Sequence, residues 1–348
     1  MAKQLLTETR LPLSHVAYAS GFGSVRRFNA AFRDRYRLNP DAVRQRAPSH
    51  HTSNGEFVQL SLSFRPPMAW TALLGFLGAR ATPGVEVVDA TSYARTVRVG
   101  QHTGIVRASF TPGTSPSLHR HAVLLEVSPA LMPELMWITS RVRHLFDLDA
   151  EPVAIAQHLS RAGLGALAPL RRGLRVPGAF DGFELAVRAI LGQQVSVKGA
   201  TTLMGRLTQA LGEPLPVAWG ALTHLSPSAA RVAESSLARI RDIGLPVARA
   251  ATIFGLAKEV ARGALRLEPD VDAGALIRQL VDLPGVGDWT AAYIAMRALH
   301  WPDAFPASDL VLRRAAGNVS AAQLTKLAEP WRPWRAYAAL TLWMKPLP

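Results

Sequence analysis

The sequence predicts an α+β chain: a small helical segment, a mixed α/β domain on an antiparallel sheet, and a long, mostly α-helical region. Three observations predict it. Residues 1–47 show helical periodicity broken by one Gly-Phe-Gly turn, residues 57–150 contain short runs that alternate polar and apolar, and residues 151–348 read as apolar helix faces jointed by Gly, Pro and Asp. With 348 residues, 49% of them hydrophobic and 18% charged, the chain is long and apolar enough for two or three folded domains.

Each element has a local reason. In residues 1–47 a helix leads into Gly21-Phe22-Gly23, and a second helix starts near Ser24, a good N-cap, with Phe28 and Phe32 one turn apart on its buried face. Residues 48–56 form a polar linker whose His50 and His51 have no partner cluster and read as solvated side chains. "FVQLSLSF" then alternates like a strand and "AWTALLGFLGARA" has the spacing of a helix, while "VEVVDATSYARTVRVG", "TGIVRASF" and "HAVLLEV" alternate again. From residue 151 to 348 the expectation is helix throughout, with a glycine hairpin between helices at about 275–300.

Composition narrows the function. Lys and Arg together number 39 against 25 Asp and Glu, a formal net charge of +14, so a polyanion is the expected partner. Only five of the basic residues are Lys, and an Arg-rich coding bias would also raise the charge. The absence of Cys excludes disulfides, thiolate metal sites and cysteine nucleophiles within this chain. "MAKQLLTETRLPLSH" lacks the apolar core of a signal peptide, and no apolar run is long enough to span a bilayer. The expected location is therefore cytoplasmic.

Three features of the helical region carry chemistry. "LPGVGDWTAAYIA", Leu283 to Ala295, is a tight turn around Gly285, Val286 and Gly287 followed at once by an amphipathic helix, an arrangement that lets backbone N–H groups meet a phosphate. "DAFPASDLVLRRAAG" places Asp309 at the opening of a helix. Trp289 and Tyr293 lie one turn apart, and Trp331, Trp334, Tyr337 and Trp343 crowd the last stretch. Singly, each has a plain structural explanation as turn, cap or core.

Together, and in this order, they resemble the helix–hairpin–helix DNA glycosylase superfamily. "WTALLGFLGARA", "YARTVRVG", "GFELAVRAILGQQVSV", "LPGVGDWTAAYIAMRAL" and "EPWRPWRAYAALTLW" are similar to the bacterial 3-methyladenine DNA glycosylase II family, of AlkA type, from about Phe57 to the C-terminus. Gly21, Phe22, Ser24, Phe28, Phe32 and Pro40 resemble one helix-turn-helix of the AraC-type regulators, which normally carry two. This second resemblance places Ser24, Val25, Arg26 and Arg27 on the DNA-facing end of a recognition helix.

The first resemblance implies excision of alkylated bases, of the 3-methyladenine and 7-methylguanine class, from duplex DNA. Such bases are cationic, and aromatic faces attract them. It makes Asp309 the catalytic carboxylate, puts Phe76, Trp289, Tyr293 and Trp343 around the base, and puts Gln194 in the gap left by the flipped nucleotide. Gly285, Val286 and Gly287 would hold a DNA phosphate. No Lys follows the hairpin between Asp288 and Leu299, which argues against the strand-cutting, Schiff-base mechanism and for a monofunctional enzyme. A monomer suits an enzyme that must scan DNA. No cofactor is implied beyond a monovalent cation on hairpin carbonyls. The competing reading is a non-catalytic DNA-binding regulator of the alkylation response.

Overall fold

The structure is a computed structural model, which describes residue 6 and residues 13–36, 38–45, 57–110, 121–164 and 173–344. The linker expected at 48–56 lies outside the described residues. In chain order the elements are α1 (Leu13–Ala19), α2 (Val25–Tyr36), α3 (Pro40–Gln45), β1 (Val58–Ser63), α4 (Trp70–Gly78), β2 (Glu86–Val88), β3 (Ser92–Val99), β4 (His102–Ser109), β5 (Ala122–Val127), α5 (Leu135–Leu145) and α6 (Pro152–Leu159). There follow α7 (Gly182–Leu191), α8 (Val197–Leu211), β6 (Glu213–Trp219), β7 (Leu222–Leu225), α9 (Ala229–Glu234), α10 (Leu237–Arg241) and α11 (Val247–Ala261). The last are α12 (Ala273–Val281), α13 (Asp288–Ala298), α14 (Leu310–Ala315), α15 (Ala321–Leu327) and α16 (Arg335–Trp343).

Two compact units result, residues 1–64 with 89–143 and residues 65–88 with 144–348. In the first, Ser24 caps α2 as expected, its Oγ accepting from Arg27 N at 3.3 Å. Phe28 and Phe32 are buried with their ring centroids 5.6 Å apart. Within this unit the strands run β1–β5–β4–β3, all antiparallel. Alternation in β5 buries Val123, Leu125 and Val127 on one face, which is the pattern that made the strand legible.

The second unit corrects two expectations. Helix α4, expected in the α/β domain, falls in the second unit with the helical region. Trp70 packs its ring 5.0 Å from Phe146, Arg175 donates to the carbonyls of Arg65 and Pro67, and Arg188 Nη2 donates to Thr82 Oγ1 at 2.7 Å. Nor is 151–348 helical throughout, because β6 and β7 pair as a ribbon around Gly220. Pro214 and Pro216 exclude a helix interior there, and Val217 is 81% exposed, so no buried alternation announces the strand.

Two hydrophobic clusters organise this unit, one around Phe183, Ile190, Met204, Ile253 and Leu280, the other around Leu159, Val176, Trp331, Tyr337 and Leu340. Helix α13 belongs to both: Ala291, Ile294 and Ala298 join the first, Ala295 and Met296 the second. Apolar packing on two sides fixes its axis and leaves its N-terminal end at the surface.

Candidate active site

The hairpin joins α12 to α13. Asp272 caps α12 by accepting from Ala275 N at 2.7 Å. The chain then turns through Leu283 and Pro284 to Gly285, whose φ of +88° suits glycine. A Cβ at 285 would lie 2.1 Å from Thr252 Oγ1, so the absent side chain also lets α11 pack against the turn. Val286 is buried in the first cluster and its N–H donates to Leu283 O at 3.0 Å. It therefore anchors the hairpin from within. Gly287 is the N-cap of α13 and has no side chain to occupy the N–H groups of the first turn. Those groups and the partial positive charge of the helix end face outward.

Asp309 is the N-cap of α14, its Oδ1 accepting from Leu312 N at 2.8 Å. Two further donors converge on the carboxylate: Trp289 Nε1 on Oδ2 at 2.8 Å, and Trp343 Nε1 on Oδ1 at 3.0 Å. An ordinary cap needs only the backbone donor. Two indoles from α13 and α16 hold both oxygens in one orientation and leave remaining lone pairs for a reacting group.

Three of the four aromatics cluster directly. Trp289 and Tyr293 stack with centroids 5.2 Å apart and planes 8° from parallel, while Tyr293 and Trp343 are 6.4 Å apart at 60°. Phe76 on α4 reaches this cluster through Arg297, whose guanidinium lies 5.0 Å from the Phe76 ring centre and 5.5 Å from that of Tyr293. Arg80 lies 3.7 Å over the Phe76 ring and donates to Phe76 O at 3.1 Å. Arg297 donates to Tyr293 Oη at 2.8 Å and to the carbonyls of Pro177 and Gly178 at 2.7 and 3.0 Å.

Charge in this pocket is set by those two arginines. Burial pushes the Tyr293 hydroxyl up, but Arg297 and Arg80 outweigh it, and its pKa falls below the ordinary tyrosine value. Burial lowers the Arg80 guanidinium, only partly offset by Tyr293. Arg297 stands one turn after Tyr293, and Arg80 one turn after Phe76. That i, i+4 spacing from two predicted pocket residues was the available signal for both, and sequence reasoning missed them.

Gln194 lies in the turn between α7 and α8. It is exposed, with φ at +57°. Arg26 and Arg27 are exposed at the start of α2, in the first unit.

A hairpin feeding a helix whose aromatic face presents a ligand-ready carboxylate defines the class: the helix–hairpin–helix base excision DNA repair proteins. Residues 187–332 match the model of that superfamily, residues 59–181 the AlkA N-terminal domain, and residues 1–46 a helix-turn-helix domain. The DNA-3-methyladenine glycosylase 2 of Escherichia coli is 35% identical over 81% of this chain and 96% of its own. A probable bifunctional transcriptional activator/DNA repair enzyme AlkA of Mycobacterium tuberculosis is 42% identical over 98% of this chain and 68% of its own. The chain belongs to the AlkA family of DNA-3-methyladenine glycosylases. Among solved structures, the 3-methyladenine DNA-glycosylase of Archaeoglobus fulgidus shares the fold with a TM-score of 0.68 at 20% identity, over 82% of this chain and 97% of that one. An 8-oxoguanine glycosylase/lyase of Clostridium acetobutylicum also shares it, with a TM-score of 0.62 at 15% identity over 85% of this chain and 96% of that one. The fold alone thus accommodates enzymes of more than one chemistry, and the residues have to decide between them.

Proposed function

We infer that this chain is a monofunctional DNA glycosylase, which excises alkylated bases of the 3-methyladenine and 7-methylguanine class from duplex DNA by hydrolysing the N-glycosidic bond. Asp309 carries this assignment: a carboxylate held by two indole N–H groups beside a stacked Trp–Tyr pair is more than a helix cap requires. Breaking the glycosidic bond leaves positive charge on the sugar, which a fixed carboxylate stabilises, and the same oxygens can orient water or take its proton. The base departs as a neutral leaving group because it was cationic in the substrate. Trp289, Tyr293 and Trp343 supply faces on which a flipped base can stack, with Phe76 beyond Arg297. Since α13 contains no Lys, no amine attacks the sugar, and the product is an abasic site in an uncut strand.

DNA is the partner this geometry suits. The N-terminal turn of α13, lacking a capping side chain, would receive a backbone phosphate around Gly285 and Gly287, and Gln194 would fill the gap left by the flipped nucleotide. Arg26 and Arg27 would contact DNA from the helix-turn-helix. No helix among the described residues is long and apolar enough to cross a membrane. A monomer in the cytoplasm, associated with the nucleoid, is consistent with such an enzyme.

A monovalent cation on the hairpin would take the second lone pairs of its carbonyls. The carbonyls of Leu283, Pro284 and Gly285 each accept a hydrogen bond already, from Val286 N, Thr252 Oγ1 and Gln193 Nε2.

Release of free base from methylated duplex DNA, without divalent metal, tests the assignment. The wild-type protein should liberate 3-methyladenine and leave alkali-labile but uncut sites. Binding without release would favour a regulator over an enzyme.

A further inference from the structure

We propose that Gln193 is a positioning residue that ties the exposed turn at Gln194 to the hairpin, so that the turn enters the duplex in register with the hairpin's hold on the backbone. This rests on the glycosylase reading above. Two adjacent, identical side chains have opposite surroundings here. Gln194 is exposed, with its backbone at φ +57°. Gln193 is half-buried, and its amide nitrogen donates to Gly285 O and Thr290 Oγ1, both at 3.0 Å. One amide thereby spends both of its N–H donors on the hairpin and on the first turn of the helix that follows it.

Helix α11 closes the junction from behind. Arg249 Nη2 donates to Gln193 O at 2.8 Å, and Thr252, one turn on, donates to Pro284 O at 2.9 Å while occupying the space over Gly285. The turn and the hairpin are therefore held by the same helix face and by each other. A left-handed backbone at a non-glycine residue is strained and persists where its surroundings over-determine it. The bond accepted by the Gln193 carbonyl and the two donated by its side-chain amide supply that constraint to its neighbour, Gln194. Among the described residues the Asp309 carboxylate accepts from Trp289, Trp343 and Leu312, so loss of the Gln193 amide leaves the carboxylate's donors in place.

The consequence is a defect in extracting the base, not in cleaving it. Single-turnover release of 7-methylguanine would be measured for the wild type and Gln193→Ala on two duplexes, one with the lesion opposite cytosine and one with it opposite an abasic-site analogue. The variant should be slower by about tenfold or more on the paired substrate and within about twofold of wild type on the unpaired one, with its melting temperature little changed. An equal loss on both substrates, or no loss on either, would overturn the proposal. Should Gln193→Ala not fold, Arg249→Ala frees the same turn from the other side and is held to the same contrast. Failure of the wild type to release base from either duplex would instead defeat the glycosylase reading.

Discussion

The indole N–H of Trp289 lies 2.8 Å from Oδ2 of Asp309, so the residue that offers a stacking face also orients the carboxylate. Trp289→Phe separates these roles, since phenylalanine can still stack on Tyr293 but cannot donate. A hydrogen bond to a charged group contributes about 1.5–3 kcal/mol, so the chemical step should slow by roughly tenfold to a hundredfold. Because stacking is retained, kcat should fall with KM little changed. A rise in KM at unchanged kcat would mean that the indole serves binding alone.

Asp309→Asn tests the carboxylate with little disturbance to the helix. Asparagine caps helices about as well as aspartate, so the bond from Leu312 N can persist. Its NH2 group, however, must face one of the two indole N–H groups, and the negative charge is gone. Base release should drop by about a hundredfold to a thousandfold while binding to methylated duplex remains, measured by single-turnover kinetics beside a binding titration. Asp309→Ala adds loss of the cap, about 1 kcal/mol of stability.

A His300–Asp147 pair just past the end of α13 makes stability depend on pH. His300 Nε2 lies 3.2 Å from Oδ1 of Asp147, whose other oxygen accepts from Tyr337 Oη at 2.7 Å and Val176 N at 3.1 Å; the His144 ring is 4.8 Å away. Burial alone would push the His300 imidazole down, but Asp147 outweighs it and the pKa rises above the ordinary 6.5. The folded chain thus holds this proton more tightly than the unfolded one. Its stabilisation is complete below 6.5 and is lost as pH climbs through the raised folded-state value. Urea unfolding from about pH 6 to about pH 9 should show the wild-type advantage over His300→Asn shrinking with pH. A constant or growing advantage would refute the pairing.

The place of Asp309 among these residues was legible because a helix-opening carboxylate, a glycine turn and a Trp–Tyr pair each leave a local mark, and their order along the chain matches one family. What held them was harder to read. The indole of Trp343 reaches Asp309 across 34 positions, and no spacing rule reports a hydrogen bond of that separation. Likewise α4 has plain helical periodicity, yet its place with the helical unit is decided by Trp70 against Phe146 and by Arg188 on Thr82, both long-range contacts. Gln193 and Gln194 are indistinguishable as letters. Only the location of the Gly285 carbonyl tells them apart.

Two glycines two residues apart allow a test of whether DNA meets the hairpin. At Gly285, φ is +88° and a Cβ would strike Thr252 Oγ1, so Gly285→Ala must distort the backbone or push the turn off α11. A left-handed alanine alone costs about 1–2 kcal/mol, and the melting temperature should fall. Gly287 differs, with φ at −98°, ψ at 174° and nothing within 4 Å of the added carbon. Alanine fits this extended conformation, and Gly287→Ala should fold as stably as wild type. Whatever the methyl group then obstructs must approach from outside. If that is a phosphate seated on the first turn of α13, Gly287→Ala should weaken duplex binding at an unchanged melting temperature. The slope of log affinity against log salt should shrink by roughly one contact. Unaltered affinity and slope would mean that the hairpin joins two helices and touches nothing.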